Sequence, residues 1–241
     1  MKKENLSIAK IVDKMKLYEK TGKIISSCFL DPSELVDVEN IISKVPNCCY
    51  GGYEEAERKI ILFGTEEIDD VEEWLTVIRV ESNKKISHRE ILGSVLGLGL
   101  KREVVGDILV NSNLADVIVT KEIAKYILQN LNKIGREKVK VCLNTFENLL
   151  QKEENAKEVK TTVASLRIDA IISSGIGVSR EISSKLIENQ KVKLNYKIIE
   201  NSAKKINVGD KISIRGYGRI ELIEVLGETR KDRIRVVLKR Y

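Results

Sequence analysis

No stretch of the 241-residue chain approaches the roughly 18 consecutive apolar residues of a membrane span. The opening MKKENLSIAK has no apolar core of the kind a secretory signal carries, so a cytoplasmic location away from membranes is expected. The four cysteines, Cys28, Cys48, Cys49 and Cys142, form no CxxC pair, and the only histidine, His88, is far from them in sequence. That spacing does not suit structural zinc, and adjacent Cys48 and Cys49 are poorly placed for an ordinary disulfide. Reduced, partly buried thiols are expected, with neither metal nor cofactor. Nucleotide-binding motifs are missing too. HREILGSVLGLGLKREVVGDILV (88–110) sets glycines 93, 97, 99 and 106 near Lys101 and Arg102. A phosphate loop needs GxxxxGK[ST] after a strand, but no Ser or Thr follows Lys101, and GxGxxG fails because Arg102 takes its last position.

What is present is a soluble, core-forming composition, 42% hydrophobic and 32% charged. The formal net charge of +6 is unevenly spread. Residues 160–241 hold 18 Lys and Arg against 9 Asp and Glu, a balance of +9, so residues 1–159 hold the remaining 24 against 27, a balance of −3. A basic third joined to a near-neutral body suggests a polyanion-binding domain.

Three segments follow. In residues 1–73, Ile8, Ile11, Val12 and Met15 lie at helical spacing. DPSE (31–34) starts a second helix with Asp31 as cap, Pro32 in the first turn and Glu34 placed for a capping box. KIILFG reads as a strand, giving a small α/β domain. Residues 74–150 read as strand, helix, strand, strand, helix, strand. That βαββαβ order is that of a ferredoxin-like plait, with Gly93 and Gly97 on a helix face that packs on the sheet and Gly99 left-handed at the helix end. The charged stretch 151–162 reads as a linker. Residues 163–241 parse as a helix (165–174), a second helix (179–189) capped by Ser179, and a run of strands. KVKLNYKII reads as one period-two strand, and VGD as a tight turn. The fold class expected is α+β.

LRIDAII, GVSREISSKLIENQKVKLN and VGDKISI, in that order, resemble the small RNA-binding domain named after the fourth protein of the small ribosomal subunit, here the S-four domain. Gln190 stands where that pattern usually ends its helix in Gly, and Ser183 where Ala is usual. A left-handed Gln190 would cost about 1 kcal/mol. The residues support an anion site independently. Arg180 opens a helix whose free amides favour an anion, Lys185 lies on the same helix, and Arg167 on the preceding one converges on that surface. Lys191 and Lys193 extend it along a strand face. In RGYGR (215–219), Arg215 and Arg219 flank Tyr217, which either stacks on a base or packs over Gly216 and Gly218.

With GGYEEAER, the 88–110 stretch and RGYGRIELIEVLGETRKDRIRVVL, nearly the whole chain resembles the YlmH-type proteins of Gram-positive bacteria. The resemblance implies a non-catalytic, monomeric protein that binds structured RNA, rRNA and also tRNA, on the large ribosomal subunit in rescue or quality control of stalled translation. It makes Arg89, Lys101 and Arg102 candidate RNA contacts beside the S-four set. The alternative is an RNA-modifying enzyme, of pseudouridine synthase or methyltransferase type, using the S-four domain to hold its substrate. The one string near a synthase motif, LRID, lies in the S-four helix and makes Asp169 a structural residue. No glycine-rich methyl-donor loop is found. His88 has no accompanying Ser or Cys nucleophile motif, and Asp107 reads as a turn residue.

Overall fold

The computed structural model describes residues 2–151, 156–229 and 232–241, with side chains of the first helix from Ser7 onward. The chain forms two compact units, Met1–Glu153 and Glu154–Tyr241.

The first unit opens with α1 (Lys2–Thr21), β1 (Ile25–Ser26), α2 (Pro32–Ile42), β2 (Asn47–Tyr50) and β3 (Ile60–Phe63). The Asp31–Glu34 capping box forms as the sequence predicts. The three strands make a small antiparallel sheet in the order β1-β3-β2. β4 (Leu75–Ser82), α3 (His88–Gly97), β5 (Val105–Asn111), β6 (Leu114–Thr120), α4 (Lys121–Asn130), β7 (Lys133–Ile134) and β8 (Glu137–Asn144) follow. Their sheet runs β5-β6-β4-β8-β7 with antiparallel neighbours. The order of the four main strands is that of the ferredoxin-like plait, with β7 added at one edge. Ile78, Val80, Val117 and Val119 of the sheet pack with Ile91, Val95, Ala124 and Ile127 of the helices.

On the other sheet face, Leu75 and Ile118 share a cluster with Phe29, Ile60 and Leu62 of the N-terminal segment. Residue 73 therefore marks no break in packing, and residues 1–153 are one unit. Gly93 and Gly97 do not pack on the sheet. Both are exposed, and a Cβ at either would meet nothing within 4 Å. They lie two residues from Ile91 and Val95, about 200° around the helix from its buried face. Gly99 is left-handed, φ +86°, as expected.

The second unit begins with β9 (Lys157–Val163), inside the stretch expected to be a linker. Val163 is buried and Val159 packs on the same core, and the strand pairs along its length with β14 (Ile234–Arg240). Period-two Val159, Thr161 and Val163 form that strand despite the charges between them. α5 (Ile168–Ile176) and α6 (Arg180–Glu188) are followed by β10 (Val192–Leu194), β11 (Lys197–Ile198), β12 (Lys211–Ile214) and β13 (Gly218–Glu228). The sheet order is β11-β10-β12-β13-β14-β9. Ile168, Ile171, Ile187, Ile212, Ile220 and Leu238 centre its core. KVKLNYKII is not one strand. It folds back at Asn195 and Tyr196, which carry φ +46° and +69°, so that β10 and β11 form a hairpin. Two positive φ values in a two-residue loop match the strand twist, and Asn is the usual first residue there.

Candidate nucleic-acid interface

α5 and α6 meet at one carboxylate. Asp169 lies in the first turn of α5, and its side chain is only 5% exposed. It accepts from Arg167 Nε and Nη2, both at 3.1 Å, and from Arg180 Nη2 at 2.7 Å. Burial pushes this carboxyl up, but the hydrogen bonds from Arg180 and Arg167 outweigh it, and it sits below its ordinary value. Asp169 is thus structural, as LRID implied, and it brings Arg167 and Arg180 together. Their side chains stay 39% and 51% exposed, so both remain within reach of a ligand. Two planar forks held at a helix N-terminus suit phosphate oxygens.

The other S-four candidates divide by what their side chains already do. Ser179 caps α6, accepting from the Ile182 amide at 3.2 Å. Lys185 pairs with Glu181 one turn back at 2.6 Å, an exposed pair of small energetic weight. Lys191, Lys193 and Arg215 are exposed. Lys191 and Arg215 are joined through the backbone, the Arg215 amide donating to the Lys191 carbonyl at 2.9 Å. Tyr217 is 39% exposed in the turn between β12 and β13. Gly218 closes that turn at φ +97°, and a Cβ there would collide with the Tyr241 carbonyl.

Arg219 is half-buried and lies 5.9 Å from the ring centre of Tyr196 and 6.0 Å from that of Tyr241. Lys239 Nζ is 5.5 Å from the Tyr241 ring. This cation–aromatic group was only partly visible in sequence. RGYGR marks Arg219, whereas the period-two pattern of KVKLNYKII hides the turn that places Tyr196. Asn195 was the signal for the turn. A bulky residue in the left-handed region is an outlier that stores strain, and such outliers cluster at functional sites.

The three candidates of the first unit are separated by the fold. Arg89 is exposed on α3, and Lys101 is exposed where a short 3-10 turn (Arg102–Val104) begins. Arg102 turns inward. Its Nη1 donates to the carbonyls of Val105 and, at 3.1 Å, Gly106. Burial, then the charge of Arg58, brings its pKa down to about 10. Arg102 is therefore a brace for the start of β5 and offers little to a ligand. Asp107 beside it is no mere turn residue. It accepts from the Tyr53 hydroxyl at 2.8 Å and from the amides of Glu57 and Arg58 at 2.7 and 3.1 Å, tying GGYEEAER to the plait. Burial and then the Asp107 carboxylate push the Tyr53 phenol up.

The fold and the site are those of a two-unit α+β protein that carries clustered arginines, a surface chemistry that suits nucleic acid. Residues 69–148 match the family model described as "Putative RNA-binding domain in YlmH", and residues 166–212 match the S4 domain. The chain is 34% identical over 219 residues to the "Ribosome-associated protein quality control protein P2" of Bacillus subtilis (strain 168), covering 88% of this chain and 85% of that protein. It belongs to the YlmH-type family. A solved structure described as "Cell division protein ylmH from Streptococcus pneumoniae" shares the fold over 61% of this chain and 95% of its own, with a TM-score of 0.52 and 20% identity. Among the described residues, no helix is long and apolar enough to cross a membrane.

Proposed function

We propose that this protein is a non-catalytic, cytoplasmic monomer that binds the large ribosomal subunit, touching rRNA and tRNA, in the rescue or quality control of stalled translation. The observation that carries the reading is the S-four surface. Arg167 and Arg180 are oriented by one buried carboxylate, and Lys191, Lys193 and Arg215 stand exposed on the same module. The relative's printed name supplies the ribosomal setting. The carboxylates best placed for chemistry are committed to structure: Asp169 holds two arginines and Asp107 holds a loop. That supports binding without catalysis. Affinity comes mainly from cations on phosphates, and selectivity from the shape of folded RNA.

Co-sedimentation of the purified protein with separated ribosomal subunits, across a KCl series, tests this. The expected result is pelleting with the large subunit that weakens with salt. Combined Lys191→Ala, Lys193→Ala and Arg215→Ala should lower the slope of log affinity against log salt by about 2 to 3. Failure to pellet with either subunit at low salt overturns the reading.

A further inference from the structure

The first unit carries a net negative charge by sequence, so any nucleic-acid contact there needs a local concentration of cations, and Arg102 does not provide one. The plait has such a concentration elsewhere. Val139 and Val141 of β8 pack with the helix-side core, so strand alternation sends Lys138 and Lys140 to the opposite face of the sheet. β7 pairs Lys133 directly across from Lys138. Arg136 occupies the turn between the two strands, and Lys84 and Lys85 lie in the loop after β4. All six are exposed.

Glu137 alternates to the other face and is taken by Lys84 at 2.7 Å. On the lysines' own face Glu81 of β4 lies across from Lys140, one acid against Lys133, Lys138 and Lys140. Among the described residues, Lys85, Lys133, Arg136, Lys138 and Lys140 make no side-chain hydrogen bond or ion pair. Like charges facing each other across neighbouring strands destabilise a sheet, and Lys133 faces Lys138 in that way. Lys138 and Lys140 are two residues apart, about 7 Å along the strand, close to the spacing of successive phosphates in a nucleic-acid strand. Elsewhere this face is closed: Phe29, Ile60 and Leu62 cover Leu75 and Ile118, and Arg79 is bound to Asp116 and to the Asn148 carbonyl. The open part has cations and, in β7 and β8, no aromatic residue, so it suits phosphates and not stacked bases.

We propose that the β7–β8 edge of the plait, through Lys133, Arg136, Lys138 and Lys140, is a second RNA site that binds the phosphate backbone of one strand. The assignment rests on the reading above that the chain binds RNA.

The test uses the full chain and a fluorescently labelled RNA hairpin with single-stranded ends, titrated by anisotropy across a KCl series. Combined Lys133→Ala, Lys138→Ala and Lys140→Ala should lower the salt slope by about 2, so a fourfold rise in KCl weakens the unaltered protein about 16-fold more than this variant. Replacing the same three lysines by arginine should keep the slope, which a merely folding-related loss would not. An unchanged slope in the alanine variant, alongside a reduced one for Lys191→Ala, Lys193→Ala and Arg215→Ala, overturns this site and leaves the S-four reading standing. The lysines would then serve to block strand pairing at the sheet edge or to hold an acidic protein. If the unaltered protein binds no RNA, the functional reading fails and this site with it.

Discussion

At Asp169 two opposing effects act on one carboxyl. Burial disfavours its charge, and the guanidiniums of Arg180 and Arg167 favour it more strongly. The folded-state value is therefore below the unfolded one. The resulting stabilisation is fully present above the unfolded carboxylate value, about 3.9, and is lost as pH falls through the lower folded value. Asp169→Asn should destabilise the second unit by about 1–3 kcal/mol at neutral pH, because it leaves two arginines short of a charged partner. Urea unfolding at a series of pH values checks this. The gap between unaltered protein and variant should be constant from pH 7 to about pH 5 and close below about pH 4. A gap that persists in acid would mean that the carboxylate charge is not what holds the two helices. LRID holds this residue and Arg167 two positions before it, but Arg180 comes from the start of α6, and only the packing of α5 on α6 brings it to the carboxylate.

At the scale of elements, the clearest local conflict is the end of α6. Gln190 has φ +55°. Its amide donates to the Ile187 carbonyl, and the Lys191 amide donates to that of Leu186, at 2.9 and 3.0 Å. That pair of bonds is a Schellman motif, whose left-handed residue is best supplied by glycine. Gln190→Gly gives up an exposed side-chain bond to Glu200 and removes the strain. The expected net gain is up to about 1 kcal/mol, or roughly 4–8 °C in the melting of a domain this size. Scanning calorimetry would show it, and a lower melting temperature would mean that the Glu200 contact matters more than the strain. This helix end was legible because a turn residue was missing from a strong pattern. β9 and β7 were not legible. In β9 the apolar alternation is diluted by Lys157, Glu158 and Lys160, and its pairing with β14 spans some seventy residues that no local pattern reports. Lys133–Ile134 continues the apolar spacing of α4, so the helix reads through a point where the chain turns into a sheet edge. The basic row is hard to see for the same reason: Lys133, which faces Lys138 across the strands, lies in what reads as a helix end.

At the scale of the whole molecule, the two units on one covalent chain each carry a proposed cationic site for RNA. Binding by one raises the effective concentration of the other, so the combined affinity exceeds either alone without any new contact. The second unit has a core of its own, from Ile168 and Ile171 through Ile220 and Leu238, and carries the excess positive charge of the sequence. Residues 154–241 expressed alone should therefore fold, melt cooperatively and retain RNA binding, but at least about tenfold more weakly than the full chain for a hairpin long enough to reach both units. On a hairpin too short to span them, the two proteins should bind alike, because the first unit then has nothing to hold. Equal affinity on both probes would mean that the plait serves another purpose. Weaker binding on the long probe alone is the signature of two sites acting through one tether, and the Lys133, Lys138 and Lys140 variant of the full chain should then behave like the isolated unit.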